Sequence, residues 1–170
     1  HVITRLIHKF QKAKQKETWL RTSDINLLSL YTTKKQVLFV LGATVYFPHE
    51  KNILRFQASH SYFPDKFWGI GNQTPRSDKE SYSLKQLFIN PQFLTKVYNG
   101  LYVGVNYEFQ HVYDFEYKKD GVFVLQSIKG IAGGNTSGIG ALLTWDKRNH
   151  AFSPDSGFFA EASITAFQKN

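Results

Sequence analysis

The 170-residue chain has no cysteine and no methionine. Without cysteine there can be no disulfide, no thiolate metal ligand and no thiol nucleophile, while an oxidising compartment stays open to it. No stretch approaches the roughly 18 apolar residues of a membrane-spanning helix. No signal peptide is visible either, which carries no information in a sequence that opens at His1 without Met. Acidic residues are few, 13 against 21 Lys and Arg, for a formal net charge of +8. Such an excess fits nucleic acid or an anionic surface. The cations, however, gather at Lys9, Lys12, Lys14, Lys16 and Arg21, with smaller groups at Lys34-Lys35 and Lys118-Lys119. That distribution describes polar loop tips between strands, and no nucleic-acid partner is expected from it.

What the chain does have is aromatic side chains, 16% of the total, and a long stretch of period two. From Leu101 to Lys118, one face carries Leu101, Val103, Val105, Tyr107, Phe109, His111, Tyr113, Phe115 and Tyr117. The other carries Tyr102, Gly104, Asn106, Glu108, Gln110, Val112, Asp114, Glu116 and Lys118. Strict alternation is a strand signal, and this strand is far longer than the usual 5–6 residues or so. The apolar face ends in Tyr and Phe, the residues favoured at a membrane–water boundary.

Similar patterns recur along the chain. His1–Phe10 alternates roughly and reads as a strand. Lys12–Ser23 reads as a long basic loop, with an amphipathic helix as the alternative. Thr33, Lys34 and Lys35 form a turn before a strand with Val37, Phe39, Leu41, Ala43, Val45 and Phe47 on one side. After the break at Pro48–Asn52, Ile53–Phe63 sets Leu54, Phe56, Ala58 and Tyr62 against Arg55, Gln57, Ser59 and Ser61. A guanidinium and an amide in mid-strand are costly in a dry core and ordinary in a wet lumen. Pro64–Glu80 lacks periodicity and reads as a loop. Ser81–Leu94 reads as a strand with Pro91 near its end, where a missing N–H is tolerated. Asn99-Gly100 is a hairpin turn. Val122–Ile131 reads as a short strand and Gly133-Gly134-Asn135 as a break. Two strands follow, one through Ile139, Ala141, Leu143 and Trp145, the other through Phe158, Ala160, Ala162, Ile164 and Ala166. The sum is an all-β, antiparallel up-and-down barrel or partial barrel of about eight strands, each long enough to cross a bilayer at a tilt.

The segment Gly138–Phe159, GIGALLTWDKRNHAFSPDSGFF, resembles the strand–turn–strand signature of the bacterial surface antigen barrels, the BamA/TamA superfamily. The matching positions are Trp145, Asp146, Arg148, Asn149, Pro154, Gly157 and Phe158. PDKFWGIGN at Pro64–Asn72 is similar to the aromatic-Gly-x-Gly-Asn loop of the same barrels, in the versions associated with Bacteroidetes-type envelopes, through Phe67, Trp68, Gly69, Gly71 and Asn72. The resemblance implies an integral protein of a Gram-negative outer membrane. Its partners would be outer-membrane lipid and other envelope proteins, and its role assembly or export of proteins or lipids. Those barrels have more strands and continue into a loop with an Arg-Gly-Phe-type motif that this sequence lacks, so residues 1–170 are expected to be one domain belonging to a longer barrel.

The candidate site residues have plain structural readings. Asp146 and Arg148, two apart, can pair and pin a turn. Gly69-Ile70-Gly71-Asn72 lacks the third glycine of a dinucleotide fingerprint and reads as a loop needing positive φ. The six histidines show no metal-ligand spacing, and nothing places a nucleophile beside a base. No cofactor, metal or catalytic residue is therefore expected, and the chain is read as not an enzyme. Arg55, Gln57, Lys85, Glu108, Gln110 and Glu161 are the candidates to face a lumen. The competing class is a soluble β-barrel that binds an apolar ligand. In that case Arg55, Gln57, Glu108, Gln110 and Glu161 point outward.

Overall fold

The computed structural model describes the backbone of residues 2–10 and the whole of residues 21–168. Eight strands form a single sheet: β1 (Val2–Phe10), β2 (Ser23–Tyr31), β3 (Val37–Tyr46), β4 (Asn52–Phe67), β5 (Glu80–Tyr98), β6 (Leu101–Glu116), β7 (Gly134–Asp146) and β8 (Phe159–Phe167). Each pairs antiparallel with the next, in the order β1 to β8. Among the described residues no ladder joins β8 to β1, so the sheet is open. The loop or helix expected over Lys12–Ser23 lies outside the described residues as far as Leu20; Arg21 and Thr22 are irregular and Ser23 opens β2.

The sheet is strongly curved. Laid flat, β4 and β8 would stand about 19 Å apart at the usual ~4.8 Å strand spacing. Yet the Arg55 guanidinium of β4 donates to the Glu161 carboxylate of β8 at 2.6 Å, which requires a trough with both side chains on its concave side. Strand β7 shows the two sides most clearly. Gly138, Gly140, Leu142, Thr144 and Asp146 are buried on the concave face, while Ile139, Ala141, Leu143 and Trp145 alternate with them and are exposed on the convex one. The register carries this division across the sheet. Ile25, Leu27, Leu41, Leu54, Phe93, Val105 and Ile164 are all exposed on the convex face.

One end of the concave face is filled by a small core of Ile53, Leu94, Tyr102 and Leu142 with Tyr46 against it. The opposite end is closed by the β6–β7 connection, where the sequence reading needs its largest correction. Val122–Ile131 is not a strand. It contains a single helical turn, α1 (Val122–Leu125), followed by turns. Of the apolar residues of α1, Phe123 is buried, while Val124 and Leu125 are exposed.

Three further boundaries differ from expectation. Strand β4 continues through Pro64 to Phe67, a stretch read as loop, because its backbone still pairs with Glu80–Ser83 of β5. Strand β5 runs on to Tyr98, which puts Pro91 in mid-strand, opposite Phe56. The β6 ladder skips from Ile89↔Phe109 to Gln92↔Asn106 around it, and the Asn90 side-chain amide donates to the Tyr107 carbonyl at 3.2 Å. A side chain thus supplies the donor that proline cannot. Finally, β7 begins at Gly134, paired with Val112, where a break was expected.

The long alternation of Leu101–Lys118 is also interrupted. Asp114 takes a positive φ of 49°, and the β5–β6 register shifts between Ser83 and Lys85. A bulge of this kind reverses the side-chain alternation beyond it. Phe115 and Tyr117, expected on the apolar face with Tyr113, instead turn to the concave side and meet Tyr82 and Phe123.

Candidate functional site

The concave face carries the chemistry. Arg55 and Glu161 form its central ion pair, and the same Glu161 oxygen accepts from the Thr144 hydroxyl at 2.7 Å. Gln57, Glu108 and Gln110 share that face by register, Gln57 opposite Asn90, Glu108 opposite Gly138 and Gln110 opposite Phe88. Lys85 does not. It pairs with Tyr62 and Tyr113 on the convex side, and its amine bonds the Asp114 carboxylate at 2.8 Å. Strand β5 carries apolar residues on both faces, Tyr82, Leu84 and Phe88 on the concave side and Leu87, Ile89 and Phe93 on the convex one, so its alternation alone does not say which side Lys85 takes.

The WDKRN turn is built around Asp146. Arg148 grips both carboxylate oxygens, Nε to Oδ1 at 2.9 Å and Nη2 to Oδ2 at 2.8 Å, and its backbone N–H also donates to Oδ1. That bidentate bond raises the Arg148 pKa. The Arg148 guanidinium lies over the Phe159 ring at 4.4 Å. Asn149 Oδ1 accepts the backbone N–H groups of His150, Asp155 and Ser156. Trp145 packs edge-on to Phe158. Gly157 has φ +97° and lies so close to the Lys147 carbonyl that a Cβ has no room. Pro154 is exposed between these anchors.

Sequence reading missed the partner that matters most here. Arg21, 125 positions away, bonds the Asp146 carboxylate and donates to the carbonyls of Asp146 and Arg148. Its other face meets Glu50 at 3.7 Å. Burial works against the Arg21 charge, but Asp146 and then Glu50 hold its pKa above the ordinary value. Glu50 sits in the left-handed region, φ 51°, a conformation that costs a non-glycine residue about 1 kcal/mol or more. Its contacts with Arg21 and the Tyr102 hydroxyl hold it there.

At the other end, Phe67 stacks on Phe123 at 4.5 Å between centroids, and Tyr82, Phe115 and Tyr117 complete the ring cluster. Glu80, 2% exposed, accepts the backbone N–H groups of Lys118 and Phe123 and so fastens the connection to β5. Trp68 begins the loop, Gly69 and Gly71 have φ of 101° and 115°, and Asn72 follows exposed. The Ile70 N–H donates to Gln126, tying this loop to the β6–β7 connection.

On the convex side the ladders align two aromatic rows. Tyr31, Val37, Tyr62, Lys85 and Tyr113 stand side by side near one end. Tyr98, Leu101 and Trp145 do so near the other. Just inside the first row, His60 bonds the Tyr113 hydroxyl at 2.9 Å and His111 stacks on the Tyr113 ring. Among the described residues no three acidic or histidine side chains gather as a metal site, and no helix is long and apolar enough to cross a membrane.

The fold and site together define an open, curved, antiparallel up-and-down β-sheet with a polar concave face and an apolar convex face. Comparison with protein-family models, curated proteins and solved structures finds no match for the chain.

Proposed function

We propose that the chain is a transmembrane segment of a β-barrel in a Gram-negative outer membrane, of the bacterial surface antigen type and without enzymatic activity. The activity it would share in is the assembly or export of envelope proteins or lipids. The observation that carries this reading is the polarity of the sheet. Its apolar side is the exposed convex one, with Val105 59%, Ile139 69% and Ile164 76% accessible, while the Arg55–Glu161 ion pair and Glu108 face the hollow and Lys85–Asp114 is a charged pair at the convex rim. Water does not favour so large a contiguous apolar surface on a monomer, whereas lipid requires it. The spacing of the aromatic rows agrees. The twelve steps from Leu101 to Tyr113 along β6 rise about 40 Å at ~3.3 Å per residue. At the roughly 35–45° tilt of outer-membrane strands they cover about 28–32 Å of membrane normal, close to the hydrocarbon thickness. The open edges at β1 and β8 suit a wall completed by further strands. The soluble alternative, an apolar-ligand barrel, needs the opposite polarity, with Arg55, Gln57 and Glu161 outside.

The test is fractionation of expressing cells, followed by gel mobility of the extracted chain before and after boiling. Recovery with outer membranes and a mobility change on boiling supports the reading. A monodisperse chain in buffer without detergent overturns it. Ile139→Arg separates the two solvents more sharply. A charge at mid-bilayer on the lipid face costs about 2–4 kcal/mol, seen as a lower urea midpoint in lipid vesicles. On a water-exposed face the same substitution leaves the midpoint unchanged to within about 0.5 kcal/mol.

A further inference from the structure

The two long loops beyond the Tyr62–Tyr113 row, residues 68–79 and 117–133, run side by side. Phe67 stacks on Phe123, and the Ile70 N–H donates to the Gln126 side chain at 2.9 Å. Residues 67–70 therefore lie along residues 123–126, which gathers Trp68, Ile70, Val124 and Leu125 into one patch. All four are exposed, Ile70 by 71% and Leu125 by 78%. Lipid does not account for them. Phe67 ends β4 five steps past Tyr62, about 16–17 Å along the strand and about 12–14 Å along the membrane normal at the tilt of outer-membrane strands. The headgroup layer is about 5–8 Å deep, so the patch stands beyond it, in water, as it also does if the chain is soluble. A cluster of exposed apolar side chains in water marks an interaction site.

We propose that this patch docks an acidic, amphipathic segment of a partner polypeptide. The apolar residues of the segment cover Trp68, Ile70, Val124 and Leu125, and its carboxylates meet the lysines on either side of α1. Lys118 and Lys119 precede α1. Lys129 follows it, drawn back beside Phe123 by the bond from the Ile128 N–H to the Phe123 carbonyl. Among the described residues none of these three lysines is in an ion pair, whereas Arg21, Arg55, Lys85 and Arg148 each hold a carboxylate. The sign of the partner follows from this whole end of the sheet. Residues 32–36, 64–80 and 116–133 carry two, three and three Lys or Arg, against no, three and two carboxylates, a balance of eight to five with buried Glu80 included. The recess of about 370 Å³ between the loops is the exception, since Asp78, Glu80 and Asp120 outnumber Lys79 and Lys118 in its lining. The segment therefore lies across the outer surface of the loops and not in the recess. A nucleic acid would satisfy the lysines but leave the aliphatic side chains uncovered.

The full chain, in lauryldimethylamine oxide micelles or in buffer according to where it is stable, is titrated against a fluorescein-labelled peptide of alternating Leu and Glu. Binding is read by anisotropy, with empty micelles as the blank. Saturation is expected, weakened by added NaCl, while a Leu–Lys peptide and a Ser–Glu peptide each bind at least about tenfold more weakly. Ile70→Glu and Leu125→Glu each weaken the Leu–Glu peptide about tenfold, and because both side chains are exposed the β circular-dichroism spectrum stays unchanged. Lys119→Glu combined with Lys129→Glu weakens it through charge. Failure of the Leu–Glu peptide to saturate overturns the proposal. So does equal binding of the Leu–Lys peptide, or native-like binding by Leu125→Glu with its spectrum intact. The patch lies in water on either assignment of the chain, so the outcome is independent of the fractionation result.

Discussion

Asp146→Ala is expected to destabilise the sheet by about 3–5 kcal/mol, the range for removing one partner from a buried ionic cluster. The Asp146 carboxylate is 3% exposed and takes both Arg148 and Arg21. Once it is gone, Arg21, 11% exposed at its side chain, keeps Glu50 at 3.7 Å as its carboxylate partner beside the backbone carbonyls of residues 146 and 148. Glu50 in turn is held in a left-handed backbone conformation partly by that contact. The loss therefore passes from the β7–β8 turn to the β3–β4 turn. Urea unfolding followed by tryptophan fluorescence should show the lower midpoint, with Trp145 reporting from beside the cluster. Arg148→Lys is a milder companion, since it keeps the charge but loses the two-pronged geometry. A midpoint for Asp146→Ala within about 0.5 kcal/mol of the native one would show that the cluster is a surface staple of little worth.

Phe123→Ala is the second large effect, about 3–5 kcal/mol for deleting a buried ring. Phe123 is 5% exposed and touches the rings of Phe67, Tyr82, Phe115 and Tyr117. Because α1 is one turn long, removing the ring leaves it held by the Glu80 carboxylate and the Ile70–Gln126 bond. The cost should then appear as release of residues 117–133 before global unfolding. Limited proteolysis reads this directly, with rapid cleavage at Lys118, Lys119 or Lys129 in the variant and slow cleavage in the native chain. Glu80→Ala should give the same cleavage pattern, since the Glu80 carboxylate receives the N–H groups of Lys118 and Phe123. Slow cleavage in both variants would mean that the connection is held elsewhere.

Much of the fold was legible in the sequence because period two is local. Over Gly138–Trp145 strand β7 is read correctly residue by residue, and the antiparallel up-and-down order follows from alternation and turn residues, although the count of about eight was reached with Val122–Ile131 among the strands. The Asp146–Arg148 staple was legible for the same reason, two positions apart on one extended segment. What went unread lies beyond nearest neighbours. The apolar run at Val122 carries no signal that separates a strand from a plug, and only the aromatic pocket formed by β4, β5 and β6 decides it. Pro91 argues for a strand end unless the neighbouring Asn90 is known to replace the missing donor. Arg21 looked like one more loop cation until Asp146 was placed beside it.

The sequence by itself determined an antiparallel β-sheet with one apolar and one polar side, since the pleat assigns alternate residues to alternate faces. It could not determine which side is hollow. That depends on the direction of curvature, and curvature is decided by contacts across three or more strands, Arg55 to Glu161 and Arg21 to Asp146. Nor could it place the Asp114 bulge, where a single positive φ sends Phe115 and Tyr117 inward. Such bends minimise the energy of the whole sheet rather than of any strand, and only the tertiary structure contains that sum.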